Sequence, residues 1–319
     1  MSTKLVCASH SPLLYCYARE PDDWNALQAA MQASAEAVQA FEPDLVIAFG
    51  SDHFNGFFLN NMPAFSVGLD AIAEEDVGGT PGELNVPRDT AVQCVEFLRG
   101  HDIDVGFSER MVVDHAFSQT IDKITGSLAT YPVIPIFINC INSPFVPFRR
   151  SRLLGEAIGS FANGFDGKVL FLASGGMSHH PTRYYPEPGK GPDEVEAWKR
   201  SGGSEVSSLS RREWLDRLDT MHHEGAQMIV DGKRTPADMR LNPEIDARFL
   251  DVLDKGQLDT FDTWKPEAVI AEGGIGFMEL HTWIAACSAQ QLAGDGLSLE
   301  TFYSVTPELG IATGIVRSA

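Results

Sequence analysis

Three apolar runs, each ending in a histidine, set the tightest limit on what this chain can become. They are Leu5–His10 (LVCASH), Leu45–His53 (LVIAFGSDH) and Val169–His179 (VLFLASGGMSH). Short runs of β-branched and aliphatic residues read as strands buried on both faces, the pattern of a mostly parallel sheet covered by helices. Ligands of such sheets bind in the crevice beyond the carboxyl ends of the strands. Three imidazoles delivered to that one edge define a candidate site.

Strand and helix signals alternate around these runs. Asp22 and Asp23 can cap a helix carrying Leu27, Met31, Ala35 and Val38 on one face, stopped before Pro43. A second helix is expected from Pro87 to Leu98, with Gly100 just past its end. Val133–Asn139 reads as a further strand, and Leu153, Leu154, Ala157, Ile158 and Phe161 mark a helix leading into the Val169 run. This alternation predicts an α/β chain with three layers, a central mostly parallel sheet between helices. The tract from Thr182 to about Asn242 differs. It is polar, broken by Pro186, Pro188, Gly189, Gly191 and Gly202–Gly203, with one clear helix pattern from about Ser210 to Val230. We read it as a polar helical insertion or lid over the active-site edge, within one domain spanning residues 1–319. Helices are also expected over Asn242–Gln257 and Phe277–Leu292.

The totals exclude several classes. With 44% hydrophobic residues in 319, the chain can bury a large core. A net charge of −20 argues against a nucleic acid as partner, because a polyanion is repelled. No apolar stretch approaches the ~18 residues that span a bilayer, so no membrane role is expected. The N-terminus enters a strand pattern at Lys4 without the features of a signal peptide, and the expected location is cytoplasmic. Cys7, Cys16, Cys94, Cys140 and Cys287 are odd in number and widely spaced, which suits reduced thiols and not a disulfide frame.

His10 and His53 end the first two strands, and a strand-end histidine is held by rigid backbone, as a metal ligand must be. The plainer reading is a hydrogen-bonded histidine at a strand terminus. Glu279 follows Gly273, Gly274 and Gly276 and opens a helix with the stripe Leu280, Trp283, Ile284 and Cys287. First-turn glutamates also occur simply because the helix dipole favours them. Two histidines and a carboxylate together make the facial set of non-haem Fe(II) oxygenases. His115, in Val113–Phe117, and His179, after Gly175–Gly176, suit acid–base work near neutral pH. Asp52 and Asp114 each precede one of these histidines; they support a ligand from behind or are turn-forming or solvent-facing. His101, His222, His223 and His281 read as surface residues.

Taken in order, SHSPLL (Ser9–Leu14), DHFNGFF (Asp52–Phe58), GELNVP (Gly82–Pro87), VDHAF (Val113–Phe117), PVIPIFIN (Pro132–Asn139), SGGMSHHP (Ser174–Pro181) and ELHTWIAA (Glu279–Ala286) resemble the class III, LigB-type extradiol ring-cleavage dioxygenases. The resemblance spans nearly the whole chain. It implies a mononuclear Fe(II) held by His10, His53 and Glu279, with His115 as proton donor and His179 as proton acceptor. It further implies cleavage of a 3-substituted catechol by O2, such as 3-(2,3-dihydroxyphenyl)propionate or 2,3-dihydroxycinnamate, and a homo-oligomer. Arg183, Arg149 or Arg150 would face a carboxylate on the ring substituent. The competing readings are a zinc enzyme of the same fold, whose His2Glu set would activate water, cleavage of a protocatechuate- or gallate-like catechol, and a non-catalytic relative kept as a scaffold.

Overall fold

The structure, a computed structural model, describes residues 2–294 and 296–319. Its strands are β1 (Ser2–Ser9), β2 (Leu45–Gly50), β3 (Phe65–Gly68), β4 (Ala71–Ala73), β5 (Gly82–Glu83), β6 (Gly106–Ser108), β7 (Met111–Val113), β8 (Val133–Ile138), β9 (Lys168–Gly175), β10 (Leu299–Thr306) and β11 (Ile311–Ser318). Its helices are α1 (Leu13–Cys16), α2 (Trp24–Phe41), α3 (Arg88–Gly100), α4 (His115–Thr125), α5 (Phe148–Asn163), α6 (Asp193–Ser201), α7 (Arg211–Val230), α8 (Pro243–Asp254), α9 (Pro266–Gly273) and α10 (His281–Ala293).

An 8-stranded sheet in the order β10-β11-β1-β9-β2-β8-β3-β6 forms the middle layer. Its centre, β1-β9-β2-β8, is parallel; β11 joins β1, and β3 joins β8, in antiparallel fashion. Successive side chains of a strand point to opposite faces, and the core divides accordingly. Leu5, Cys7, Ile47 and Phe49 pack with α5 and α10 residues such as Leu154, Ile158 and Trp283. Val6, Val46 and Ala48 pack on the other face with Val38 of α2 and Ile121 and Ile124 of α4. This is the expected three-layer α/β fold. The parallel centre matters for the site, because β1, β9 and β2 are neighbours whose carboxyl ends lie on one edge.

A small sheet, β5-β4-β7, stands apart from the large one. Its β4 and β7 are parallel, with Ala73 opposite Val113, so the chain leaves both strands at the same end.

Several local expectations change. Asp23 precedes α2 without a side-chain cap; its carboxylate instead accepts from Ser304 Oγ at 2.7 Å. The buried stripe of α2 is Leu27, Ser34 and Val38. Gly100 is the last residue of α3 and not its stop signal. Glu279 lies in a 3-10 turn, Ile275–Leu280, ahead of α10 rather than in its first turn. His222 and His281 are buried, not on the surface. His281 stacks on Phe148 at 4.2 Å and shares a 2.8 Å hydrogen bond with Ser151. The polar tract holds a helix its composition did not announce, α6, whose Trp198 stacks on Trp214 of α7 at 5.6 Å. No helix among the described residues is long and apolar enough to cross a membrane.

Candidate active site

His10 is the first residue beyond β1. Its backbone N–H donates to Gly175 O at 2.8 Å, which ties the ends of β1 and β9 together. Its Nδ1 hydrogen bonds with Ser174 Oγ at 2.7 Å, and an Nδ1–H there leaves the Nε2 lone pair for a ligand. Burial lowers the imidazole pKa to about 3, against the pull of Glu279 and assisted by His115, so the ring is neutral, as a ligating histidine must be.

His53 sits on the Ser51–Phe57 turn after β2. Asp52 accepts from Asn55 N (3.2 Å), Gly56 N (2.8 Å) and Phe57 N (3.1 Å), holding Phe54 in the left-handed region at φ 63, a conformation that needs such support in a non-glycine residue. Asp114 accepts from the His53 backbone N–H at 2.6 Å, meets His53 Nδ1 at 3.2 Å and takes Ala116 N at 2.9 Å as the cap of α4. The expectation of solvent-facing aspartates therefore fails for both, which are buried. Asp52 is the turn former and Asp114 the group behind the histidine. Burial and the neighbouring Asp114 push Asp52 up to about 8. Asp114 is held below the usual carboxylate range, since His53 and His115 outweigh its burial.

Glu279 closes the cluster. Its Oε1 lies 3.0 Å from His53 Nε2 and 3.7 Å from His10 Nε2 and accepts from Ser51 Oγ at 2.8 Å. Its Oε2 is buried with no hydrogen-bond partner among the described residues. Burial favours protonation of this carboxyl, but His10 and His53 overcome it and the group is ionised. His53 is pushed well above its ordinary value, because Asp114 and Glu279 outweigh burial. The ring thus has a carboxylate at each nitrogen, Asp114 at Nδ1 and Glu279 at Nε2, and a bound cation would take the place of the proton on the Nε2 side. Cis ligands at ~2.1 Å from a metal stand roughly 3 Å apart; the His53–Glu279 contact has that spacing and the His10–Glu279 contact is longer.

His115 opens α4 beside the small sheet. The shared exit from β4 and β7 carries Asp76 against His115 Nδ1 in a short hydrogen bond. The ring stacks on His53 at 4.5 Å and 18°. Geometry also groups His115 with His10 and His53, one nitrogen from each lying within 4.8 Å of the others. His179 donates Nδ1–H to Met177 O at 2.9 Å, which leaves Nε2 as an acceptor 3.9 Å from Glu279 Oε2. Its pKa is lowered, first by burial and against Glu279. The ring fits because residue 276 is glycine, where a Cβ would lie 2.2 Å from Nε2.

All five residues singled out in the sequence therefore meet at one edge. Arg149 and Arg183 do not line the cavities at this edge and are bound towards Asp262 and Glu224, and Arg150 belongs to α5, away from the cavity lining. A cavity of about 30 Å³ is lined by His10, His53, His115 and His179 together with Tyr184, His222 and Arg234. A second, about 390 Å³, reaches His53 and Glu279 past apolar Phe54, Ile141, Phe145 and Ile275. The sequence reading missed Asp76 and Arg234 and placed His222 on the surface. Asp76 and Arg234 lie outside any motif, and a helical histidine such as His222 carries no signal of its burial.

Histidines gathered at the strand ends of an α/β sheet around a buried carboxylate make a donor set suited to a metal ion. The chain matches, over residues 4–310, the family described as the catalytic LigB subunit of aromatic ring-opening dioxygenase. It belongs to that family and is an extradiol catechol dioxygenase, an oxidoreductase whose family implies a metal cofactor. Similar proteins named 2,3-dihydroxyphenylpropionate/2,3-dihydroxicinnamic acid 1,2-dioxygenase come from Mycobacterium ulcerans, 37% identical over 100% of this chain and 99% of the relative, and from a Rhodococcus species, 37% identical over 99% of each. One of Pseudomonas putida, whose name carries the suffix 2, is 35% identical over 97% and 96%. An uncharacterized Escherichia coli K12 protein of known structure aligns over 99% of each chain at 12% identity and TM-score 0.48, a likeness too low to bear on function.

Proposed function

We propose that this enzyme opens the ring of 3-(2,3-dihydroxyphenyl)propionate or 2,3-dihydroxycinnamate by Fe(II)-dependent extradiol cleavage, with His10, His53 and Glu279 as the metal ligands. The observation that carries the metal set is the convergence of two imidazoles on an ionised, partly unsatisfied buried carboxylate. When bound, Fe(II) supplies a Lewis acid that acidifies the catechol hydroxyls and a one-electron path between catechol and O2. The overall reaction adds both oxygen atoms and breaks the ring bond just outside the diol, giving a hydroxymuconic semialdehyde-type product in which the new carbonyl is a ketone where the broken bond ends on the substituted carbon.

The chain's own residues handle the protons. His179 is neutral, its Nδ1–H is spent on Met177 O, and its Nε2 accepts a proton from a catechol hydroxyl. His115 is the donor: its Nδ1 is taken up by the hydrogen bond with Asp76, which leaves Nε2 to deliver a proton into the cavity. The apolar chamber bounded by Ile141, Phe145 and Ile275 excludes water around the ring. The relatives' names support the choice of substrate.

Oxygen uptake by protein reconstituted anaerobically with Fe(II) is the test, using 3-(2,3-dihydroxyphenyl)propionate, protocatechuate and gallate. A yellow ring-opened product from the first, far exceeding the others, is expected. No uptake with any of them, or equal activity with zinc alone, refutes the proposal.

A further inference from the structure

Arg234 is only 8% exposed and lines the same cavity as His10, His53, His115 and His179. A buried guanidinium ordinarily faces a carboxylate, because desolvating a cation without a counter-charge is costly. Acidic residues outnumber basic ones 44 to 24, yet among the described residues none forms an ion pair with Arg234. The acids around it take other hydrogen-bond partners. Arg183 pairs with Glu224 at 2.9 Å and Lys233 with Asp231 at 2.9 Å. Asp238 accepts from Thr235 N at 2.8 Å and from its Oγ1 at 2.7 Å.

Arg234 is held by Tyr184 instead. Its Nη1 donates to the phenol oxygen at 2.5 Å, and the guanidinium carbon lies 5.0 Å from the ring centroid. Tyr184 is fixed in turn: its ring stacks on His222 at 3.7 Å and 13°. Its hydroxyl sits over Gly225, where a Cβ would lie 2.1 Å away. His222 donates Nδ1–H to Leu218 O at 2.7 Å. The cavity here, about 30 Å³, has room for a water or two, which two carboxylate oxygens can replace. Arg234 also borders an open surface groove with Arg183 and Lys233, so it stands between solvent and the histidine cluster.

We propose that Arg234 is the receptor for the carboxylate on the substrate's ring substituent, kept in place by Tyr184 and His222; this rests on the catechol reading above. The ligand chemistry is a planar monoanion on a short flexible tail, which a guanidinium binds through two parallel hydrogen bonds. A catechol bearing an uncharged alkyl group leaves that cation desolvated and unpaired. Such a mismatch discriminates more strongly than a missing methylene.

Titration calorimetry of the full-length protein under anaerobic conditions isolates this contact, using 3-phenylpropionate and uncharged 3-phenylpropanol, which carry the tail and no catechol. Wild type should prefer the carboxylate by at least about tenfold, Arg234→Ala should lose the preference, and Arg234→Lys should recover part of it. In turnover, the kcat/KM ratio of 3-(2,3-dihydroxyphenyl)propionate to 3-ethylcatechol should fall at least about tenfold in Arg234→Ala. No carboxylate preference in wild type, a preference that survives Arg234→Ala, or equal losses on both catechols overturns the proposal. If wild type cleaves neither catechol, the functional reading fails while the calorimetric preference still decides the role of Arg234. Should Arg234→Ala not fold, the wild-type comparison and Arg234→Lys give the answer.

Discussion

The sheet edge and the tract from Thr182 to Asn242 contribute to one cavity by different means. At the edge, His10 and His53 follow parallel strands, and their positions are set by backbone pairing such as His10 N to Gly175 O and by carboxylates behind the rings. In the tract, Tyr184, His222 and Arg234 are positioned by side-chain packing, including the Tyr184–His222 stack. The two regions are clamped together at the His53 turn. Trp198 Nε1 donates to Phe54 O at 2.9 Å, Trp214 Nε1 to Asn55 Oδ1 at 3.1 Å, and Arg211 Nη2 to Asn55 O at 3.1 Å. Reaction chemistry needs fixed geometry to a fraction of an ångström, which strand ends supply. Recognition of a tail tolerates a packed, loop-rich surface, and such regions accept change more readily.

That division predicts separable defects. The largest belong to the edge. On the Fe(II) reading proposed above, Glu279→Gln should strip most bound metal, read by metal analysis of iron-reconstituted protein, and activity should vanish with it. His115→Ala and His179→Ala should lower kcat by about 10²–10⁴-fold while iron content stays near wild type. Iron lost from His115→Ala would instead place that residue among the metal ligands, an arrangement its closeness to His10 and His53 allows.

A smaller effect is expected in the tract. Gly225→Ala drives a methyl into the Tyr184 hydroxyl, an overpacking worth about 1–3 kcal/mol. It should raise KM for the carboxylated catechol several-fold more than it lowers kcat, with iron retained. A loss of iron in this variant would show that the two regions are not separable.

The smallest effect is on acid stability. Burial lowers His222 to about 3, with the Leu218 carbonyl opposing and His115, His53 and Arg234 assisting. An unfolded histidine titrates near 6.5. Between those values the unfolded chain holds a proton that the folded chain does not, so this contribution is fully present above pH 6.5 and is lost as pH falls towards 3. Urea unfolding of His222→Phe should lose stability more gently than wild type between pH 6 and 4, by up to about 1.4 kcal/mol per pH unit. Parallel curves would mean that His222 is not kept neutral by the fold.

Much of the edge was legible because its signals are local. An unalternating apolar run identifies a strand buried on both faces, and a histidine at its end inherits the strand's place in the sheet. The same reasoning failed for His222 and His281, read as surface residues. His222 lies in a polar-looking helix and His281 at a helix end, and neither context reveals which neighbour covers the ring. Arg183, chosen for its charge, turned out to be bound to Glu224, whereas Arg234 emerged only because no acid among the described residues pairs with it.

The amino-acid order by itself determined the three-layer architecture and the histidines that its strands carry to one edge, since periodicity and strand termini are properties of neighbouring residues. Tertiary structure alone decided the partners: Asp76 behind His115, Asp114 behind His53, and Tyr184 holding a guanidinium without a counter-ion. These contacts join residues 39, 61 and 50 positions apart. Their strength depends on burial and on which charges share the same desolvated space, quantities that exist only once the chain has closed around them.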